Sequence, residues 1–76
     1  MEKIYLATHH NRRTNDTREA YSNREDAKTA CYGWVKKYDP DNFVFILQKG
    51  RYAKYGDWCL FCHDDYYICV ETLELN

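Results

Sequence analysis

The stretch from Ser22 to Tyr38 carries a helix start, an apolar stripe and a stop in one run, and it limits what the rest of the chain can build. Ser22 and Glu25 stand at capping-box spacing, where the hydroxyl accepts from a backbone N–H and the glutamate reaches back to the cap. Ala27, Ala30, Cys31, Trp34, Val35 and Tyr38 follow at the repeat that lines one face of an α-helix. Pro40 ends the run, because proline lacks an N–H and its ring clashes with the preceding turn. The spacing predicts a helix over about 23–37. Gly33 lies inside it at a cost of about 1 kcal/mol relative to alanine, and close approach to a sheet is the expected reason.

Around this helix the pattern changes to strands. Lys3 to Thr8 alternates, with Ile4, Leu6 and Thr8 on one side and Lys3, Tyr5 and Ala7 on the other. His9 to Thr17 is polar throughout and reads as an exposed loop, and Arg18 to Tyr21 as a short second strand. Asn42 to Gln48 is apolar on both sides, as a central, doubly covered strand would be. Lys49 to Asp57 is a turn-rich, basic and aromatic connection. Trp58 to His63 and Tyr66 to Leu75 form a hairpin turning at Asp64-Asp65, with an irregularity expected near Glu71-Thr72 where the apolar side changes. The expectation is one α+β domain over 1–76: a single amphipathic helix on a mainly antiparallel sheet of four to five strands, in the order β-(β)-α-β-β-β.

At 76 residues there is room for one small core, and eight tyrosines, three phenylalanines and two tryptophans are available to fill it. A lone helix shields one side of a sheet, so the other side should present rings in search of a partner. Residues 1–37 hold eight Lys/Arg against five Asp/Glu and residues 38–76 three against seven, for a net charge of −1. That balance predicts no broad attraction to nucleic acid. No apolar run approaches the roughly twenty residues of a membrane span, so no membrane partner is expected. Met1 to Thr8 is too short and polar for an apolar targeting segment, and Cys31, Cys59, Cys62 and Cys69 are expected to be free thiols in a reducing cytoplasm.

Cys59-Leu60-Phe61-Cys62-His63 is the sharpest motif-like string. C-x-x-C-H attaches c-type haem, but that chemistry needs an oxidising compartment, and Met1 is the one methionine available as a second axial ligand. A zinc site through Cys59, Cys62 and His63 requires the sulfurs to converge, whereas a strand sends residues three apart to opposite sides. Asp64-Asp65 and the Asp39/Asp41 pair sit in turns, where aspartate bonds its own backbone. No catalytic residue, cofactor or metal is expected.

Two binding readings rank ahead of a small zinc-binding protein through Cys59 and Cys62, which stays as the last alternative. A protein-contact surface would draw on Tyr52, Tyr55, Trp58, Tyr66 and Tyr67, with Arg12 and Arg13 at the rim. The partner is then another protein or a second copy of the chain. A single-stranded nucleic-acid surface, ranked behind it, would use His9, His10, Lys49, Arg51 and Lys54, where cations alternate with rings.

The opening Lys-Ile-Tyr-Leu-Ala-Thr strand at Lys3–Thr8, the Ser-x-x-Glu-x-Ala start at Ser22, Glu25 and Ala27, the single helix and the closing hairpin together resemble small accessory proteins of tailed bacteriophages. The resemblance implies a non-enzymatic viral protein in a bacterial host cytoplasm. Such a protein binds a host protein and inhibits or redirects it, a CRISPR or restriction defence system being one class of target. It transfers no catalytic residue, and neither the His9–Thr17 loop nor the Cys/aromatic hairpin belongs to that layout.

Overall fold

The computed structural model of the chain describes residues 2–47, 49–52 and 54–75, with the side chain of Arg51 outside that description. Among these residues the elements follow the expected order: β1 (Glu2–Asn11), β2 (Thr17–Tyr21), α1 (Arg24–Tyr38), β3 (Val44–Ile46), β4 (Trp58–His63) and β5 (Tyr66–Leu75), with a single 3-10 turn at Gly50–Tyr52. The strands form one antiparallel sheet in the order β2-β1-β5-β4-β3. Helix α1 lies across one side of it, over β1, β5 and β2, giving a single α+β domain.

The helix begins one residue later than the capping box implies. Asn23, in an extended conformation, is the cap, and its Oδ1 accepts from the Asp26 backbone N–H at 3.1 Å. Asparagine caps as well as serine, and with Asn23 in that role the third helical position is Asp26, not the Glu25 of the expected box. Glu25 and Asp26 in the first turn and Lys36 and Lys37 in the last suit the helix dipole. The stripe then does what its spacing predicts at Ala27 and Cys31, which are fully buried, with Trp34 and Val35 packed beside them.

Ten consecutive pairs join β1 to β5, from Glu2 opposite Leu75 to Asn11 opposite Tyr66. This register sends Tyr5, Ala7 and His9 toward the helix together with Ile68 and Val70, while Trp58 and Leu60 join them from β4. Alternation then puts Ile4, Leu6 and Thr8 on the far side with Cys69, Leu73 and Leu75. The helix-facing core is therefore built from the opposite parity of β1 to its larger aliphatic residues. Strand β5 runs unbroken through Leu75, and the irregularity falls instead on β4, between Phe61 and His63.

The far side of the sheet is not the bare aromatic surface that one helix would leave. The connection from Lys49 to Asp57 folds back over it, and Tyr55, Cys59, Phe61 and Cys69 form a second buried cluster with Ile46, Tyr52 and Tyr67 packed against it. The return is pinned at its end. The Asp57 N–H donates to Val70 O at 2.8 Å, Asp57 Oδ2 accepts from the Thr72 N–H at 2.6 Å, and Tyr55 Oη donates to Asp64 Oδ1 at 2.8 Å. Beyond the connection this side leaves Leu73 and Leu75 exposed beside half-buried Ile4 and Leu6, with the exposed Glu2 and Glu71 among them.

Three other expectations are corrected. His9, His10 and Asn11 continue β1 rather than opening a loop, because Ile68, Tyr67 and Tyr66 stand opposite to pair with them. The stretch expected to be a central strand supplies only β3, at the sheet edge, with Val44 and Phe45 exposed; Gln48 lies outside the described residues. Gly33 faces open space, and a Cβ there would meet nothing within 4 Å.

Two glycine substitutions should therefore move stability in opposite directions. Gly33→Ala gains helix propensity without a clash and should raise stability by about 1 kcal/mol. Gly56 holds φ +80°, and a Cβ would lie 2.7 Å from Val70 O, so Gly56→Ala should cost about 2 kcal/mol or more. Thermal melts resolve both, since 1 kcal/mol moves the midpoint by roughly 4–8 °C in a domain of this size.

Candidate functional site

The sheet spends its aromatic residues on two different sides, and this divides the expected contact surface. Trp58 is buried under the helix, with the Tyr32 ring edge-on at 5.4 Å and Lys28 Nζ 5.6 Å from its centroid. Tyr55 is buried on the far side, 4.6 Å from Tyr67 and 5.5 Å from Phe61 between centroids, and Tyr52 meets Phe61 edge-on at 5.3 Å. Tyr66 points to the helix side, edge-on to Phe43 at 4.8 Å. Trp58 and Tyr55 are core residues, Tyr52 and Tyr67 pack half-buried against the far-side cluster, and half-buried Tyr66 stands at the turns, so the five rings lie on opposite sides of one sheet and do not make one surface.

Arg12 and Arg13 sit in the β1–β2 turn, against the β4–β5 turn. Arg12 Nη1 lies 3.2 Å from Asp65 Oδ2, and the Arg12 N–H donates to Asp65 O at 2.9 Å. The ion pair is exposed at both ends and worth little by itself, but the backbone bond ties the two turns together. The Asn11 side-chain oxygen accepts from the Arg13 N–H at 3.0 Å and shapes the turn. His63 Nδ1 accepts from the Asp65 N–H at 3.2 Å in the facing turn.

The basic-aromatic residues are split as well. His10 lies on the far side, its ring 4.7 Å from Tyr67 and its Nδ1 2.8 Å from Asp16 Oδ1. Lys54 Nζ stands 5.2 Å from the centroid of Tyr55, so His10 and Lys54 flank the Tyr67–Tyr55 pair. His9 is on the opposite side, Lys49 is exposed in the connection, and the Arg51 side chain falls outside the described residues. Asp16 beside His10 and Asp64 beside Tyr55 offset the cations locally.

Cys59 faces the far side and Cys62 occupies the irregular position of β4, so the two thiols do not converge. Among the described residues no three His, Cys, Asp or Glu side chains are grouped as a metal would need. Burial, reinforced by neighbouring thiols or carboxylates, pushes Cys31, Cys59 and Cys69 up to about 12, so all three stay protonated at neutral pH. No described helix is long and apolar enough to cross a membrane.

Two features went unread in the sequence. One is His9, only 7% exposed, stacked on Tyr38 at 5.0 Å and 11°, with Tyr66 edge-on at 5.7 Å and Trp34 at 5.9 Å. Its Nε2 is buried and has no hydrogen-bond partner among the described residues. Carrying the Tyr5–Ala7 alternation two residues further would have found it. The other is the outer edge of the sheet, where Val44, Phe45 and Leu47 are 59%, 52% and 59% exposed.

Comparison with known proteins finds no protein-family model, curated protein or solved structure that matches this chain.

Burial lowers the His9 pKa, with Asp16 acting the other way and His10 adding to the lowering. In the unfolded chain the imidazole binds a proton near pH 6.5, while in the native fold it does so only at lower pH. Its contribution to stability is complete above about pH 6.5 and is lost as pH falls toward the native value. Urea melts at pH 7.5 and 5.5 should show a loss on acidification that shrinks in His9→Phe, which keeps the ring and cannot titrate. Thiol labelling provides a separate check. One cysteine, the half-buried Cys62, should react with an aromatic disulfide reagent in the native protein, and all four in denaturant.

Proposed function

We propose that the chain is a small, non-enzymatic protein-binding module that takes an extended segment of its partner onto strand β3. The observation that carries this reading is the contrast between the two edges of the sheet. The β2 edge presents Thr17, Arg18 and Glu19, exposed and polar, as edges protected against stray pairing do. The β3 edge presents Val44, Phe45 and Ile46, followed by Leu47, with no charge, proline or glycine in the run. An apolar edge strand of this kind suits strand addition, in which main-chain bonds supply affinity and alternate side chains supply selectivity. Val44 and Ile46 face the side of Phe61, and Phe45 faces the helix side, 6.2 Å from Trp58. A partner strand would meet apolar groups above and below.

This reading moves the binding surface away from Tyr55 and Trp58, which are used in the cores, and keeps protein as the partner class. The likeness in layout to phage accessory proteins makes a bacterial host protein the partner to seek, with inhibition or redirection as the consequence. Nucleic acid ranks behind it because acidic groups sit beside His10 and Tyr55.

Val44→Lys tests the proposal, since a lysine on an edge strand blocks pairing and Val44 is exposed enough to accept it. The full chain as bait in bacterial lysate should retain a discrete protein that Val44→Lys loses by about tenfold or more, while the melting midpoint moves by a few degrees at most. Equal capture by both forms sinks the proposal. So does a concentration-dependent dimer that Val44→Lys dissociates, with no other protein captured.

A further inference from the structure

At the end of the sheet where the β1–β2 and β4–β5 turns meet, the surface holds a cleft in two parts that strand addition does not use. The smaller part, about 260 Å³, is lined by His9, Thr14, Asn15, Thr17 and Tyr38. The larger, about 660 Å³, is lined by Arg12, Arg13, His63 and Asp65. Asn11 and Tyr66 line both, so the two are neighbours.

The two parts differ in chemistry. In the larger, Asp65 engages Arg12, whereas no carboxylate pairs with Arg13 among the described residues. Because His63 Nδ1 accepts the Asp65 N–H, the proton of its neutral ring sits on Nε2 and is left to donate. Guanidinium groups and a ring N–H with one nearby carboxylate already engaged make a setting for an anion, and Arg suits phosphate in particular. The smaller part has no charged lining residue. It offers two hydroxyls and two amides against the His9, Tyr38 and Tyr66 rings, and it is the hollow beside the buried His9 whose Nε2 has no partner. An unsatisfied buried nitrogen is costly, so this wall of the hollow keeps an unmet hydrogen bond.

An anion site that shares Asn11 and Tyr66 with a neutral, hydrogen-bonding, ring-lined hollow fits a ligand built the same way. We propose that this cleft binds a mononucleotide, its phosphate held by Arg12, Arg13 and His63 and its sugar and base edge set against His9, Thr14, Asn15 and Thr17. The residues involved share nothing with the β3 edge, so this inference stands or falls separately from the protein-binding reading.

Titration of the isotopically labelled full chain with AMP and CMP, followed by NMR, tests it. Saturable shifts are expected in the backbone signals of His9, Thr14, Thr17 and Tyr66. Arg13→Ala, at an exposed position, should weaken binding by about tenfold, and Asn15→Ala by about threefold, each leaving the rest of the spectrum in place. Inorganic phosphate and adenosine, each supplying half of the ligand, should bind at least about tenfold more weakly than AMP. The proposal is overturned by the absence of saturable shifts up to about 10 mM, by inorganic phosphate matching AMP, or by affinity unchanged in Arg13→Ala.

Discussion

Pairing of the first strand with the last sets everything else in this domain. The ten-residue ladder between β1 and β5 occupies the centre of the sheet, and both hairpins hang from it, β2 on one side and β4 with β3 on the other. Because side chains alternate, this one register decides which residues of β1 reach the helix. A slip of one position would turn Tyr5, Ala7 and His9 away from α1 and present Ile4, Leu6 and Thr8 in their place. The fully buried Ala7 shows why the observed choice wins. It lies opposite Val70, in the same core cluster as Ala27 and Cys31, and these small residues let the helix approach the sheet closely. Ile4 and Leu6 in those places would hold it further off.

One helix cannot cover a five-stranded sheet, and the chain solves the shortage with the segment between β3 and β4. Tyrosine suits that task because its ring buries a large area while its hydroxyl can stay with a polar partner, as Tyr55 does with Asp64. The result is two thin cores, on either side of β4 and β5, in place of one thick one. Cys31 and Cys69 show how close they are: the Cys31 thiol, from the helix side, donates to the Cys69 carbonyl at 3.9 Å across the sheet backbone. Burial that raises the thiols of Cys31, Cys59 and Cys69 makes them small apolar fillers, which is the role this packing asks of them.

The helix and the closing hairpin were legible because their signals are local. Ala27, Cys31 and Trp34 lie within a few turns of one another, and Asp64-Asp65 sits at the tip it marks. The capping box failed by one residue because Ser22 and Asn23 are both competent caps and only the backbone at Asn23 separates them. The alternation of Lys3–Thr8 is met in β1, but the polar His9-His10-Asn11 run reads as loop because its strand partners, Ile68, Tyr67 and Tyr66, are distant in sequence. Asn42–Gln48 was misread for a related reason. An apolar run looks the same whether flanked by two strands or by one, and position in the sheet is decided by distant pairings. The return of Tyr52 and Tyr55 over the far side depends on Asp57 and Gly56 meeting Val70 and Thr72, contacts that no local pattern encodes. Of the residues proposed for contact, Arg12, Arg13 and Tyr66 do come together at the turns, while Tyr55 and Trp58 were named for their size, the property that also made them core.

Where binding can occur follows from what folding leaves over. The helix side is filled by Trp58, Leu60, Ile68 and Val70, and the β4 half of the far side is filled under Tyr55. The exposed leucines at positions 73 and 75 offer a small apolar area that the exposed Glu2 and Glu71 beside them interrupt. The β3 edge differs because its apolar side chains stand on an edge strand of the sheet, where pairing with a partner strand would impose a direction and a register. The turns differ in a second way, since they gather Arg12, Arg13 and His63 around one hollow, next to a second lined by His9, whose buried Nε2 lacks a partner among the described residues. Apolar area alone is common on small proteins. Apolar area on an edge strand, or a buried polar atom beside a cleft, is what folding by itself does not explain.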